Sequence, residues 1–206
     1  MHKEILSENQ IMLLPLVRQF IREYYLAGGT AIGLHLGHRR SIDFDLFKFS
    51  AIRPKNITGK IAQSSFPYTV TRRVQEQLNV TVHGVKFTFF EYPFQPEATC
   101  KFLDYLRMPC LLDLAAMKAY ALGRRSKWKD YVDLYFILKD HYSIDQVCVR
   151  AGEIFGQLFS EKLFRAQLSY FKDIDYAESI DYLGPAVSDE RIRNFLIDTA
   201  TDIGSL

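Results

Sequence analysis

Two aspartates separated by one residue, Asp43 and Asp45, are the strongest chemical signal in the sequence. They lie in residues 41–47 (SIDFDLF), where polar and apolar residues alternate. Such alternation is typical of a half-buried strand, on which residues i and i+2 share a face. Two carboxylates at neighbouring positions of one face repel each other, and Mg²⁺, which prefers carboxylate oxygens, would offset that repulsion. The spacing alone also fits a surface or turn feature, but together with the preceding glycine turn it predicts a metal site.

A glycine pair, Gly28 and Gly29, precedes the two aspartates. Residues 24–27 (YYLA) predict a short buried strand and residues 31–36 a helix, so the glycines lie at a strand-to-helix turn. Glycine permits a tight turn and leaves the first helix amides uncovered, and such amides attract phosphate oxygens. Thr30 adds a hydroxyl in the first turn. The turn is a candidate phosphate site, although a Gly-Gly turn also occurs for purely structural reasons.

Basic and histidine residues flank the aspartates. Arg39 and Arg40 directly precede the predicted strand. They are either solvated loop cations, or one of them orients the acids or contacts a polyanionic substrate. His35 and His38 have the i, i+3 spacing of a transition-metal site, but no third ligand is evident.

A second group of charges follows in a helical region. Lys118 is the only charge on the apolar stripe of a helix predicted over residues 111–122. It either extends its ammonium group to water or points at an anion in a cleft. Asp130 and Asp133 stand one helical turn apart. They have either a structural role, in an ion pair or at the helix dipole, or a role in the site.

The elements around these residues change character along the chain. Strands are predicted at 68–77, 78–82 and 85–90, with a His83-Gly84 turn, and Pro93 and Pro96 end the sheet region. Further helices are predicted at 8–24, 54–65, 127–140, 144–158, 160–171 and 188–199. This order predicts an α+β unit over residues 1–108 and a helical unit over residues 109–206.

Composition limits the function classes. The chain has 206 residues, 26 basic and 24 acidic, so its net charge of +2 carries no bulk signature of nucleic-acid or membrane binding. No apolar run is long enough for a membrane span, and the N-terminus lacks the shape of a signal peptide, so we expect a cytoplasmic protein. Any nucleic-acid contact would need a local basic rim, for which there are two candidate clusters: Arg39 and Arg40, and Arg124, Arg125, Lys127 and Lys129.

Together these motifs resemble the AbiEii/AbiGii toxin family of nucleotidyltransferases, in the DNA polymerase β-like superfamily. The pattern Gly-Gly-Thr-Ala…Gly-His-Arg-x-Ser-x-Asp-x-Asp-[Leu/Phe]-Phe is matched closely by residues 28–47. The pattern Met-Lys-x-x-Ala-Leu…Arg-x-x-x-[Arg/Lys]-Asp-x-x-Asp-Leu resembles residues 117–134, and residues 168–173 resemble the family's C-terminal segment. The resemblance implies a polymerase β-like core, with a small mixed sheet flanked by helices, and a C-terminal helical bundle.

The resemblance also implies an enzyme that transfers a nucleotidyl group from an NTP to an acceptor hydroxyl. Asp43 and Asp45 would hold Mg²⁺, Gly28, Gly29 and Thr30 would cradle the triphosphate, and Lys118 would neutralise it, with Ser41 placed in the same nucleotide site. Asp130 or Asp133 would complete the catalytic set. In relatives the acceptor can be a tRNA 3′ end, whose phosphates the two basic clusters would hold here. Such relatives act as the toxin of a toxin–antitoxin or phage-defence pair.

One departure from the superfamily concerns a third metal-site acid on a later strand. Thr88 stands where that acid is expected, and Glu91 lies at the strand's end. Either Glu91 or the Asp130/Asp133 pair substitutes, or catalysis is weak. The alternatives are therefore a non-catalytic nucleotide-binding or protein-binding module on the same fold, and a metal-dependent glycosyltransferase, against which the glycine turn and the small size argue.

Overall fold

The computed structural model describes residues 1–202, which divide into two compact units between Cys110 and Leu111. The predicted boundary lies between residues 108 and 109. The first unit combines helices with a five-stranded sheet, and the second is helical, so the predicted α+β architecture is confirmed. No helix within residues 1–202 is long and apolar enough to cross a membrane.

The first unit is built around a mixed sheet with strand order β1-β2-β5-β4-β3. Strands β2 and β5 run parallel, and the other neighbours run antiparallel. A separate two-stranded sheet pairs β6 with β7. The elements are α1 Glu8–Arg18, β1 Tyr25–Ala27, α2 Gly28–Leu36, β2 Phe44–Lys48, α3 Pro54–Ala62, β3 Tyr68–Arg73, β4 Gln77–Val82, β5 Val85–Glu91, β6 Cys100–Phe102 and β7 Leu106–Met108.

The two faces of the five-stranded sheet differ in chemistry. One face is apolar and buried, and the rings of Phe87 and Phe89 stack there with centroids 6.2 Å apart. Phe20, just after α1, packs its ring edge-on against Phe89 at 4.9 Å. The opposite face carries Asp45 and Thr88, which are paired across β2 and β5. The core therefore lies on one side of the sheet, and the candidate site lies on the other.

Several predicted boundaries shift for local reasons. Helix α1 begins with a capping box at Ser7 and ends at Arg18, earlier than predicted, because tight turns follow over residues 19–23. Strand β2 begins at Phe44, not at Ser41, so Asp43 lies just before the strand. Strands β6 and β7 follow Pro96, where we predict no further sheet.

The second unit contains five helices within the described chain. They are α4 Leu111–Leu122, α5 Trp128–Asp140, α6 Ile144–Phe155, α7 Glu161–Leu168 and α8 Asp189–Thr201. Serine side chains cap three of them, α6, α7 and α8, at Ser143, Ser160 and Ser188. Helix α5 is buried along most of its length, and Tyr135 is among the largest fully buried side chains. This unit positions Lys118 on α4 and the two later aspartates on α5.

Candidate active site

The Asp45 carboxylate packs directly against the glycine turn. Antiparallel pairing of β1 with β2 sets Ala27 opposite Asp45, so the side chain of Asp45 lies beside the first residue of α2. Gly28 has a φ of +68°, and a Cβ built on it would lie 2.2 Å from Asp45 Oδ2. Only glycine combines that backbone angle with that close approach. The glycine is therefore required by the position of the acid.

Thr30 holds the segment that leads into β2. Its hydroxyl lies 2.9 Å from Ser41 Oγ and also reaches the backbone carbonyl of Asp43. The Asp43 carbonyl can only accept, so Thr30 donates to it, whereas either hydroxyl can donate in the contact between Thr30 and Ser41. The Thr30 side chain is 1% exposed. We therefore assign Thr30 to positioning Ser41 and Asp43, and the predicted contact of its side chain with a nucleotide stays a prediction.

Arg39 lies beneath the surface of the site. It is 2% exposed, and its Nη1 donates to the backbone carbonyl of Arg40 at 3.0 Å. Its Nη2 lies 2.7 Å from the position that a Cβ on Gly29 would occupy. This burial favours the alternative that Arg39 orients the acids, and its predicted contact with an acceptor stays a prediction. Arg40 is half-buried and donates to the Glu4 carbonyl at 3.2 Å.

The donor set around Asp43 and Asp45 fits Mg²⁺. Both aspartates are half-buried, and hard carboxylate oxygens from one or two acids, completed by substrate phosphates, are what Mg²⁺ requires. Thr88 is the direct neighbour of Asp45 on β5, whereas Glu91 pairs with Lys48 and lies on the opposite, core face. Glu91 therefore does not replace the third acid. Within residues 1–202 no group of three or more His, Cys, Asp or Glu residues could hold a metal.

The two histidines do not form a metal site. The ring of His35 is within hydrogen-bond distance of the Pro109 carbonyl, with Nε2 and O 3.0 Å apart, and His38 is buried. Burial lowers the pKa of His35, and the hydrogen bond to Pro109 only partly opposes this effect. The ring is therefore a neutral packing group at physiological pH.

In the second unit, Lys118, to which the resemblance assigns neutralisation of the triphosphate, is in contact with two aspartates. Lys118 is 5% exposed, its ammonium contacts Asp130, and it lies 2.9 Å from Asp133 Oδ2. Arg125 adds a bidentate pair to Asp130, at 2.9 Å from Nε and 3.2 Å from Nη2. Two cations and two anions thus neutralise each other, which favours the structural alternative for the two aspartates. Their catalytic role, and the predicted meeting of Lys118 with Asp43 and Asp45 in one cleft, stay predictions.

The titration of Asp130 follows from these contacts. Burial by itself raises the pKa of Asp130, and the nearby Asp133 adds to that effect, but the charges of Lys118 and Arg125 outweigh both, so the pKa lies below its ordinary value. Asp130 is therefore ionised at neutral pH and tied to its cations.

The basic residues in the loop before α5 and in its first turn also have partners. Lys127 and Lys129 both bind Glu178, at 2.6 Å and 2.9 Å. Arg124 stacks on Tyr120, with the guanidinium carbon 3.5 Å from the ring centroid. An acceptor role for Arg124, Arg125 and Lys127 stays a prediction, and for the last two it would require phosphates to replace carboxylates.

The sequence analysis singled out Thr88 but not the polar residues that are paired beyond it. Thr88 pairs with Asn79 on β4, and Asn79 pairs with Arg72 on β3. Alternating polar residues in β4 and β5 were a visible signal, but their alignment with Asp45 depends on the parallel pairing of β2 with β5, which spacing in the sequence does not specify.

No protein-family model matches the chain. An uncharacterized protein of Aquifex aeolicus (strain VF5) is 32% identical over 128 residues, which are 58% of this chain and 59% of that protein. The chain thus spans less than two thirds of this relative's length.

Solved structures with the same fold extend over nearly the whole chain. A protein from H. pylori described as a nucleotidyltransferase superposes with a TM-score of 0.62 at 16% identity, covering 94% of each chain. The nucleotidyltransferase toxin MenT4 from Mycobacterium tuberculosis H37Rv superposes with a TM-score of 0.60 at 13% identity, covering 93% of this chain and 81% of that chain. The chain therefore has the nucleotidyltransferase fold.

Proposed function

We propose that the chain is a nucleotidyltransferase of the AbiEii/AbiGii type, which joins the nucleotidyl group of an NTP to an acceptor hydroxyl. The bond between the acceptor oxygen and the α-phosphorus forms, and the bond between that phosphorus and the bridging oxygen to the β-phosphate breaks. Pyrophosphate leaves, and the hydroxyl proton passes to solvent or a base. The observation that carries this proposal is the packing of the Asp45 carboxylate on the Gly28 turn, within the nucleotidyltransferase fold.

The residues of the first unit have separate roles in holding the NTP. The glycine turn leaves the α2 amides without a side-chain cap, so Gly28 and Gly29 can present N–H groups to triphosphate oxygens. Thr30 and Ser41 hold the segment that carries Asp43. Arg39, buried beside Gly29, keeps positive charge next to the acids and the phosphates. The site thus has groups that orient an NTP with its α-phosphate near the aspartates.

Asp43 and Asp45 are the residues that would hold Mg²⁺. When bound, the ion supplies charge neutralisation on the triphosphate and lowers the pKa of a coordinated hydroxyl. By resemblance, the acceptor is RNA, with a tRNA 3′ end as the first candidate. The same resemblance makes the protein a toxin neutralised by a cognate antitoxin or used in phage defence.

Transfer of labelled nucleotide tests the proposal directly. The protein is incubated with each α-³²P-labelled NTP, Mg²⁺ and total RNA, and labelled RNA is resolved by electrophoresis. We expect label from at least one NTP, and a loss of roughly 100-fold or more in rate for Asp45→Asn, because the carboxylate acts on charge that develops during transfer. Asp104→Asn, at an exposed site between β6 and β7, is the matched control and should retain wild-type activity.

The proposal fails if Asp45→Asn transfers label as fast as the wild type. It also fails if no NTP labels RNA, protein or a small-molecule acceptor pool, provided the protein is folded by circular dichroism. Binding of an NTP without any transfer would instead identify the second candidate.

That second candidate is a non-catalytic nucleotide-binding module. It is favoured by Thr88 at the place of a third acid and by the engagement of Lys118 with Asp130 and Asp133. Calorimetric titration with each NTP, alongside the transfer assay, separates the two functions. A non-catalytic module would bind an NTP but would not transfer its nucleotidyl group.

A further inference from the structure

A row of polar residues crosses the sheet from the candidate active site to its free edge. Asp45 on β2 pairs with Thr88 on β5, Thr88 with Asn79 on β4, and Asn79 with Arg72 on β3. Directly paired residues of neighbouring strands share one face. Since strands are spaced by about 4.8 Å, the row places Arg72 about 14 Å from Asp45 in Cα position.

Polar residues flank this row on the same face. Lys86 lies two residues from Thr88 on β5, and Thr81 and Gln77 lie on either side of Asn79 on β4. Gln77 Nε2 donates to Asn79 Oδ1 at 2.8 Å, which holds the Asn79 amide in place. We call the surface formed by Thr88, Lys86, Gln77, Asn79, Thr81 and Arg72 the polar sheet face.

The charge of the polar sheet face is unbalanced. Strands β3, β4 and β5 place Arg72 and Lys86 on this face and no acid, so the only carboxylate of the row is Asp45 at its far end. Both cations are exposed, and neither forms an ion pair within residues 1–202. They differ in this respect from Lys127 and Lys129, which share Glu178. Positive charge with no internal partner attracts an external polyanion.

We infer that the polar sheet face binds the acceptor strand of the transfer reaction, a single-stranded nucleic acid whose backbone phosphates contact Lys86 and Arg72. This inference rests on the proposed function, since it places the end of that strand at Asp45. The amides and hydroxyls between the two cations suit sugar and base edges, and the phosphate contacts are independent of base sequence. A flat sheet that offers phosphate contacts to an extended strand needs no groove.

A double variant and its control test the inference by binding alone. Fluorescence anisotropy measures the affinity for a short fluorescein-labelled single-stranded RNA, and for DNA of the same sequence, at two salt concentrations. We expect Arg72→Ala with Lys86→Ala to weaken binding roughly tenfold and to reduce the salt slope by about 1.4, since each lost phosphate contact removes about 0.7 for single strands. The probe that binds more tightly, RNA or DNA, identifies the class of acceptor.

Arg73→Ala is the matched control. Arg73 is the next residue of β3, equally exposed, but it pairs with Leu78 and so lies on the opposite face. The inference predicts wild-type affinity for this variant. It is overturned if the double variant binds like the wild type, or if Arg73→Ala weakens binding as much as the double variant does.

The transfer reaction separates this inference from the proposed function. The double variant should raise the KM for the acceptor about tenfold and leave the KM for the NTP unchanged. Unchanged kinetics in the double variant overturn the inference while the transferase activity stands. If no transfer occurs but Asp45→Asn binds the probe and the double variant does not, the function fails while the binding surface stands.

Discussion

The two charged clusters of this protein have similar residue types but differ in how they are built. In the first unit, Asp43 and Asp45 are half-buried beside a glycine turn, with Arg39 beneath it. In the second unit, Lys118 and its two aspartates are buried together in direct contact. The first arrangement is partly open to solvent, whereas the charges of the second are buried and neutralise one another. Spacing alone does not distinguish a site from an internal ion network.

Removing the lysine of the second cluster should give the largest change in stability. Lys118→Met would leave Asp130 and Asp133 buried without that cation, so we expect the free energy of unfolding to fall by about 4 kcal/mol. Urea unfolding followed by circular dichroism measures the change. Lys139→Met is the control. Lys139 forms an exposed pair with its neighbour Asp140 on α5, so this change should alter stability by less than about 0.5 kcal/mol.

The opposite result for Lys118 would mean that the second cluster is not only an internal ion network. If Lys118→Met remains as stable as the Lys139→Met control but loses nucleotidyl transfer, the buried cluster exchanges partners during the reaction. Lys118 would then belong to the catalytic set that the sequence resemblance implies.

A methyl group on the glycine turn should give the next largest effect. Gly28→Ala must adopt a left-handed backbone and displace the Asp45 carboxylate, so we expect a loss of about 2 kcal/mol in stability together with loss of transfer. Thermal unfolding and the label-transfer assay measure the two effects. Gly152→Ala, within α6 where nothing lies within 4 Å of the added Cβ, should be neutral or slightly stabilising. Wild-type activity in Gly28→Ala would contradict the required packing of Asp45.

Acid should weaken the second unit through a small electrostatic effect. Hydrogen bonds from Lys127 and Lys129 lower the pKa of Glu178 from 4.5 to about 2. A depressed pKa in the folded state contributes stability above the unfolded pKa, and that stability is lost as the pH falls from about 4.5 towards 2. The effect is small because the Glu178 side chain is 46% exposed.

Melting temperatures measured against pH test this assignment. The difference between the wild type and Glu178→Gln should be present at neutral pH, narrow below about pH 4.5 and close near pH 2. A difference that stays constant across this range would mean that Glu178 acts through packing and not through its charge.

Local patterns predicted the elements better than they predicted contacts between elements. The predicted helix over residues 111–122 is confirmed residue for residue, and the β4–β5 hairpin follows from alternation and the His83-Gly84 turn. The glycine pair was assigned to a turn, yet helix α2 begins at Gly28 itself, with a positive φ at that residue and no side-chain cap.

Contacts between residues far apart in the sequence limited how much of the site could be predicted. The pairing of Asp45 with Thr88 depends on a parallel crossover of about forty residues, which periodicity does not encode. The burial of Arg39 depends on how its loop packs against Gly29. The sequence alone therefore does not distinguish Arg39 from an exposed cation. Ion pairs such as Lys127 with Glu178 join residues from separate segments and were also beyond local patterns.

Strand β3 has a consequence for the behaviour of the protein in concentrated solution. Within residues 1–202 it pairs only with β4, all six of its residues are exposed, and its outer backbone edge would accept a further strand from another molecule. Two features oppose such self-association: an irregularity in the pairing between Val70 and Arg72, and the adjacent charges of Arg72 and Arg73. The arginine at the end of the polar row therefore also protects the free edge from aggregation.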